Sequence, residues 1–331
     1  MDNKLTRKRV SDLLQYDWIL LTVIALVAVV IWEVVFSLTA VKLKPGQHFK
    51  YYIDIGVHAT DDDRILKLFD QNKSFDVLEI AGEEINVEQD VLSARLANDE
   101  GDVIFTQLIP PTENSVNKEV RAKTLVDQKS YYVGSFDKLL KDAKAYLRSF
   151  LVSDNMPDGA EYDFNNLSLD KIDAGFLARM KGDNRFRTDE QKEKGKLLER
   201  DRIEDLCKEV KAFERLLSVE DSDLFFNYTR YEQDLALSTT ADDIDFYTGR
   251  LETEKQNNKT NYGREQLRYG LNLSALKGKV DASEFFTLTS SDNSKLVVLM
   301  VFDLIEVQPE LQFESIIFVN ALVRTCSTLL D

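Results

Sequence analysis

The first strong pattern along the chain is an apolar run from Trp18 to Val41 in which Glu33 is the only charge. Its 24 residues, at about 1.5 Å each, make a helix of roughly 36 Å, enough for a hydrocarbon core of ~30 Å. The run predicts a transmembrane helix over residues 18–41 behind a cytoplasmic tail, 1–17. A cleaved signal peptide is the alternative. Its apolar region would be about 7 to 15 residues and would close on a small-x-small site, which Leu38 and Ala40 fit poorly. Lys4, Arg7, Lys8 and Arg9 precede the span, and only Lys42 and Lys44 follow it closely. That bias puts the N-terminus in the cytoplasm and the remainder outside, as in a single-pass plasma-membrane protein.

Beyond Pro45 and Gly46 the pattern alternates between strand and helix periods. Phe49 to Val57 is aromatic and β-branched and reads as a strand. Asp61, Asp62 and Asp63 then precede Ile65, Leu66, Leu68 and Phe69, an acidic helix start before an apolar face. A strand at Phe75 to Ile80, a helix at Val87 to Ala97 and a strand at Asp102 to Phe105 complete a β-α-β-α-β order, which predicts a parallel sheet. Residues 42–117 are thus the first part of an α/β lobe.

Residues 118–280 read as a mainly helical, charged insert. Ser135 to Val152 carries Phe136, Leu139, Leu140, Ala143, Leu147 and Phe150 at helical spacing. Between Thr188 and Leu217, the residues Ile203, Leu206, Val210, Phe213 and Leu217 step by 3, 4, 3 and 4, a seam for packing within a domain or for a coiled coil. Residues 281–331 read as the part that returns to the lobe, with strands at Phe285 to Leu288 and Lys295 to Leu304 and a buried helix at Leu311 to Leu330. The fold class expected is α/β: an N-terminal transmembrane helix, a parallel-sheet lobe, a helical insert and a returning strand and helix.

Charge narrows the partners. The chain has 42 Lys and Arg against 58 Asp and Glu, a net −16, and is 44% apolar. Four basic and four acidic residues precede Lys42, so the whole imbalance falls beyond the span. An acidic domain of this kind repels phosphate backbones, and no nucleic acid partner is expected. Two His and two Cys, with no phosphate-binding loop, dinucleotide glycine pattern or nucleophile elbow, give no enzyme, cofactor or metal expectation. His58 near Asp61 to Asp63 lacks calcium-loop or paired-His spacing and reads as helix capping. Cys207 and Cys326 each fall on a helix face, as free buried thiols or, outside the cytoplasm, as a pair.

The stretch DVLSARLANDEGDVIFT, Asp90 to Thr106, following YYIDIGV and FDVLEI, resembles the first lobe of bacterial extracellular solute-binding proteins of ABC importers. The amphipathic helix, the turn at Asn98 to Asp102 and the strand from Asp102 carry the likeness, with support from FESIIFVNALVRTCSTLL near the C-terminus. The resemblance implies a module that binds a small solute or oligosaccharide, or serves a membrane transporter. Its ligand would sit at the C-terminal ends of the strands, where the loops place His58, Thr60, Gly82, Glu83, Thr106 and Gln107. A non-catalytic assembly protein that docks a membrane or extracellular partner is the alternative. For that reading the candidates are Glu33, which either snorkels or pairs with a basic group of another membrane protein, and the run Arg179, Lys181, Arg185 and Arg187. That run either binds an acidic partner or neutralises neighbouring carboxylates.

Overall fold

The computed structural model describes residues 18–39, 48–54, 63–76, 80–86, 101–108, 133–221, 223–228, 239–257, 267–280, 285, 296–302 and 313–331. The chain divides into two units, Met1–Leu43 and Lys44–Asp331. In the first, the apolar run is one helix, α1 (Trp18–Thr39), long and apolar enough to cross a membrane. Its described large side chains between Trp18 and Phe36 are exposed.

The second unit is built on a mixed sheet. Strands β1 (His48–Asp54), β2 (Ala81–Asn86), β3 (Val103–Leu108), β4 (Val133–Gly134), β5 (Phe225–Tyr228), β6 (Leu267–Asn272) and β7 (Leu296–Phe302) run in the order β2-β1-β3-β7-β6-β5, with β4 also on β7. Among the described residues the predicted parallel sheet is present in β2-β1-β3 alone. The returning strand β7 enters antiparallel to β3, and β4, β5 and β6 join antiparallel beyond it. Residues 118–280 therefore supply sheet edge as well as helices. Their short strands are interrupted by polar residues, and pairing with β7 rather than their own pattern makes them strands.

One expected strand is corrected. Phe75 lies in the short helix α3 (Lys73–Asp76), directly after α2 (Asp63–Gln71), and the strand is the next segment, Ala81–Asn86. The run FDVLEI has strand composition, yet its Phe75 is buried from a helical turn against Phe69, with ring centroids 4.5 Å apart. AGEEIN escapes a hydrophobic reading because it is an edge strand, where charged residues oppose further pairing. The predicted helix at 87–97 lies outside the described residues. Of the predicted strand at 285–288, Phe285 alone is described, buried in a helical turn.

Helices α4 (Phe136–Ser149), α5 (Leu169–Arg179), α6 (Asp189–Leu217), α7 (Ala241–Asn257) and α8 (Glu314–Cys326) follow. Caps at their starts are local: Ser135 accepts from the Lys138 amide, and Thr188 and Gln191 form a reciprocal capping box at the head of α6. The predicted seam of α6 is fully buried, so it is packing within the domain. On the sheet, Phe318 of α8 and Phe69 of α2 pack over Phe49, Tyr51 and Phe105. Tyr52 and Ile104, which point to the opposite face, are fully buried too. Cys207 and Cys326 are both buried and form no disulfide; burial pushes the Cys207 thiol up to about 12.

Candidate functional site

The strand order sets where a ligand crevice would lie. From β1 the chain crosses to β2 on one side and then to β3 on the other, all three parallel. Connections that leave a central strand in opposite directions open a crevice at the carboxyl ends of the strands. Here that switch point falls between β1 and β3, where Asp54 pairs in register with Thr106.

The predicted ligand residues divide around this point. Thr106 and Gln107 lie at its end of the sheet, opposite Val298 and Val297 of β7, with Thr106 buried. Gly82 and Glu83 do not: they pair with Phe49 and Lys50, at the start of the parallel strands. Their predicted placement followed from the strand at 75–80; with β2 at Ala81–Asn86 they begin the strand instead of ending it, about 13–17 Å from the crevice end. Gly82 has a packing role there, since a Cβ on it would meet the Phe69 ring at 2.8 Å. His58 and Thr60 lie outside the described residues, as do Asp61 and Asp62. Among the described residues no group of three or more His, Cys, Asp or Glu side chains is placed to hold a metal ion.

The basic run does not form one patch. Arg179, the last residue of α5, donates from Nη2 to Glu199 Oε2 of α6 at 2.6 Å. Arg185 grips Asp183 with Nε and Nη2, at 3.2 and 2.8 Å. Arg187 donates to the Asn184 side chain, and its amide donates to Gln191. Lys181 is exposed. Neutralising nearby carboxylates is thus what Arg179 and Arg185 do. Glu33 is exposed on α1.

Arg179 belongs to a buried charge cluster that the sequence did not announce. Arg202, fully buried, donates from Nε and Nη2 to the two oxygens of Glu199, both at 3.0 Å, and from Nη1 to Glu314 Oε1 at 2.8 Å. Its Nη2 also donates to the Tyr146 hydroxyl at 3.1 Å. Burial is the largest influence on Glu199 and pushes its carboxyl up, but the guanidiniums of Arg202 and Arg179 together hold it below its ordinary range. Burial pushes Glu314 up, only partly offset by Arg202. The one available signal was Arg202 itself, three residues after Glu199 on the packed side of a predicted helix; Glu314 lies more than a hundred residues away.

A second network is half-exposed. Lys144 Nζ donates to Glu214 Oε1 at 3.0 Å, Tyr162 donates to Glu214 Oε2 at 2.8 Å, and Arg148 Nη1 donates to Glu161 Oε2 at 3.0 Å. It ties α4 to the turn at Ala160–Tyr162 and to α6.

No family model, no curated protein and no solved structure matches the chain.

Proposed function

We propose that the protein is a membrane-tethered recognition module, held by α1 and binding a small solute or oligosaccharide at the carboxyl ends of β1 and β3. The observation that carries this reading is the parallel β2-β1-β3 order, with its switch point between Asp54 and Thr106. The helix long enough to span a bilayer supports the tether. The basic residues before it support a cytoplasmic N-terminus, with the acidic domain outside. The resemblance of Asp90 to Thr106 to solute-binding proteins supports the ligand class. On this reading His58, Thr60, Thr106 and Gln107 stay candidate contacts, and Gly82 and Glu83 do not.

The test is thermal unfolding of the full chain in detergent against sugars, oligosaccharides, peptides and amino acids. A ligand at 100 times its dissociation constant stabilises the fold by about 2.7 kcal/mol. The expected result is a saturable rise in Tm that disappears in His58→Ala and Gln107→Ala and survives in Glu83→Gln. A flat response across the panel overturns the reading in favour of an assembly protein that docks a partner.

A further inference from the structure

Between Trp18 and Phe36, Glu33 is the only charged side chain, and it makes no hydrogen bond or ion pair among the described residues. The hydroxyl of Thr22, by contrast, is satisfied within the helix, donating to the Trp18 carbonyl at 2.8 Å. Glu33 lies about 12 Å along the helix from Val41, the outer end of the apolar run. Lysine and arginine reach an interface from such a depth on long apolar stems, which glutamate lacks. An ionised carboxylate held there in hydrocarbon is costly, so it calls for a partner at the same depth.

The faces of α1 differ in size. At about 3.6 residues per turn, Thr22, Ala25, Val29 and Glu33 share one face, within an arc of about 80°, and Trp18 and Phe36 lie at its two ends. Leu20, Ile24, Val27, Ile31 and Val34 share the opposite face. Ala25 and Val29 let a second backbone come close beside the carboxyl, whereas the bulkier face suits lipid chains. Orientation then selects the occupant. The basic residues ahead of the span give every copy the same cytoplasmic N-terminus, so two copies meet in parallel and bring Glu33 to Glu33 at one depth. A carboxylic acid donates its O–H to a carboxylate, so a proton shared by the pair removes one of the two charges and gives the other a hydrogen bond.

We propose that α1 pairs with α1 of a second copy, Glu33 against Glu33, so that the protein is a dimer within the membrane. This rests on the reading of α1 as a membrane-spanning tether. The carboxyl pair sets which faces meet, and the small side chains of Ala25 and Val29 let the helices close on it. On that reading each pair carries two acidic domains on the same side of the membrane.

The experiment is oxidative cross-linking of the full chain in membranes, with single cysteines placed along α1, beside an alkaline carbonate wash that reads whether the chain spans the bilayer. Ala25→Cys and Val29→Cys are expected to give a dimer. Val27→Cys and Ile31→Cys are expected to stay monomeric, as is the wild type, whose cysteines are buried. In the Val29→Cys background, Glu33→Leu is expected to cut the dimer roughly tenfold. Glu33→Gln, which both donates and accepts, is expected to keep most of it. A chain that resists the wash and cross-links at neither Ala25→Cys nor Val29→Cys overturns the pairing while the tether stands. The pairing is also overturned by equal yields from both faces, by a cross-link to a different protein, or by a Glu33→Leu chain that pairs as well as its parent. A chain released by the wash overturns the tether, and the pairing with it.

Discussion

The two halves of α6 are held in the fold by different means. From Ile203 to Leu217 the helix lies in the main core, with Leu206, Val210 and Phe213 fully buried and Phe213 against Phe136 at a centroid distance of 5.8 Å. From Asp189 to Arg202 it is held by α5 and α8 through a notch and a charge cluster. Gly195 lies under the Phe176 ring, where a Cβ would come within 2.3 Å, and Phe176 with Met180 forms a core cluster separate from the main one. Glu199 and Arg202 then take the place of apolar knobs. The apolar half gains by removing area from water, a contribution without direction. The charged half gains only if each partner stands where its hydrogen bonds can form, so it specifies register more than it adds strength.

Chemical denaturation of single variants separates the halves. Arg202→Met leaves Glu314 buried without its cation and Glu199 with Arg179 alone, and a loss of about 3–5 kcal/mol at neutral pH is expected. Phe213→Ala leaves a cavity and is expected to cost about 3–5 kcal/mol. Acid tells these two apart. Glu199 has a folded value held below its ordinary one, so its stabilisation is present above the unfolded value and is lost as pH falls through the folded one. The Arg202→Met deficit should shrink as pH falls below the ordinary carboxylate range while the Phe213→Ala deficit persists; deficits that track each other with pH would show that the charges contribute only packing.

Smaller effects sharpen the contrast. Gly195→Ala drives a methyl into Phe176 and Phe186, an overpacking cost of about 1–3 kcal/mol, and a silent substitution would mean that α5 and α6 are not in contact there. Thr188→Ala removes half of the capping box and should lose about 1 kcal/mol, read as lower stability with α6 fraying from its start. Lys208→Ala breaks exposed pairs with Glu204 and Asp205, and a change of about 0.5 kcal/mol or less is expected; a larger loss would contradict the screening argument.

What was legible depended on whether the signal was local. Ser135 before an apolar period, and Thr188 three residues before Gln191, mark helix starts because a cap is made within one turn. The α6 seam was legible because it repeats apolar residues at helical spacing, and β7 because Leu296–Phe302 is an unbroken apolar run of strand length. FDVLEI misled because a short apolar run fits either a strand or a buried helical turn, and only the seat of Phe75 beside Phe69 decides between them. That error carried Gly82 and Glu83 to the wrong end of the sheet, since a strand displaced along the chain moves its loops as well.

The sequence by itself determined the elements whose cause lies within a few residues: an apolar helix fit to cross a membrane, the capped helices α4 and α6, and the start of a parallel sheet before Thr106. Tertiary structure alone decided that β7 enters antiparallel beside β3, and that Arg179 binds Glu199 instead of a patch of its neighbours. It also brought Arg202, Glu199 and Glu314 into one cluster. The physical reason is range. Caps and periods are written in neighbours a turn apart, whereas a buried charge has meaning only beside the counter-charge that folding delivers from elsewhere in the chain.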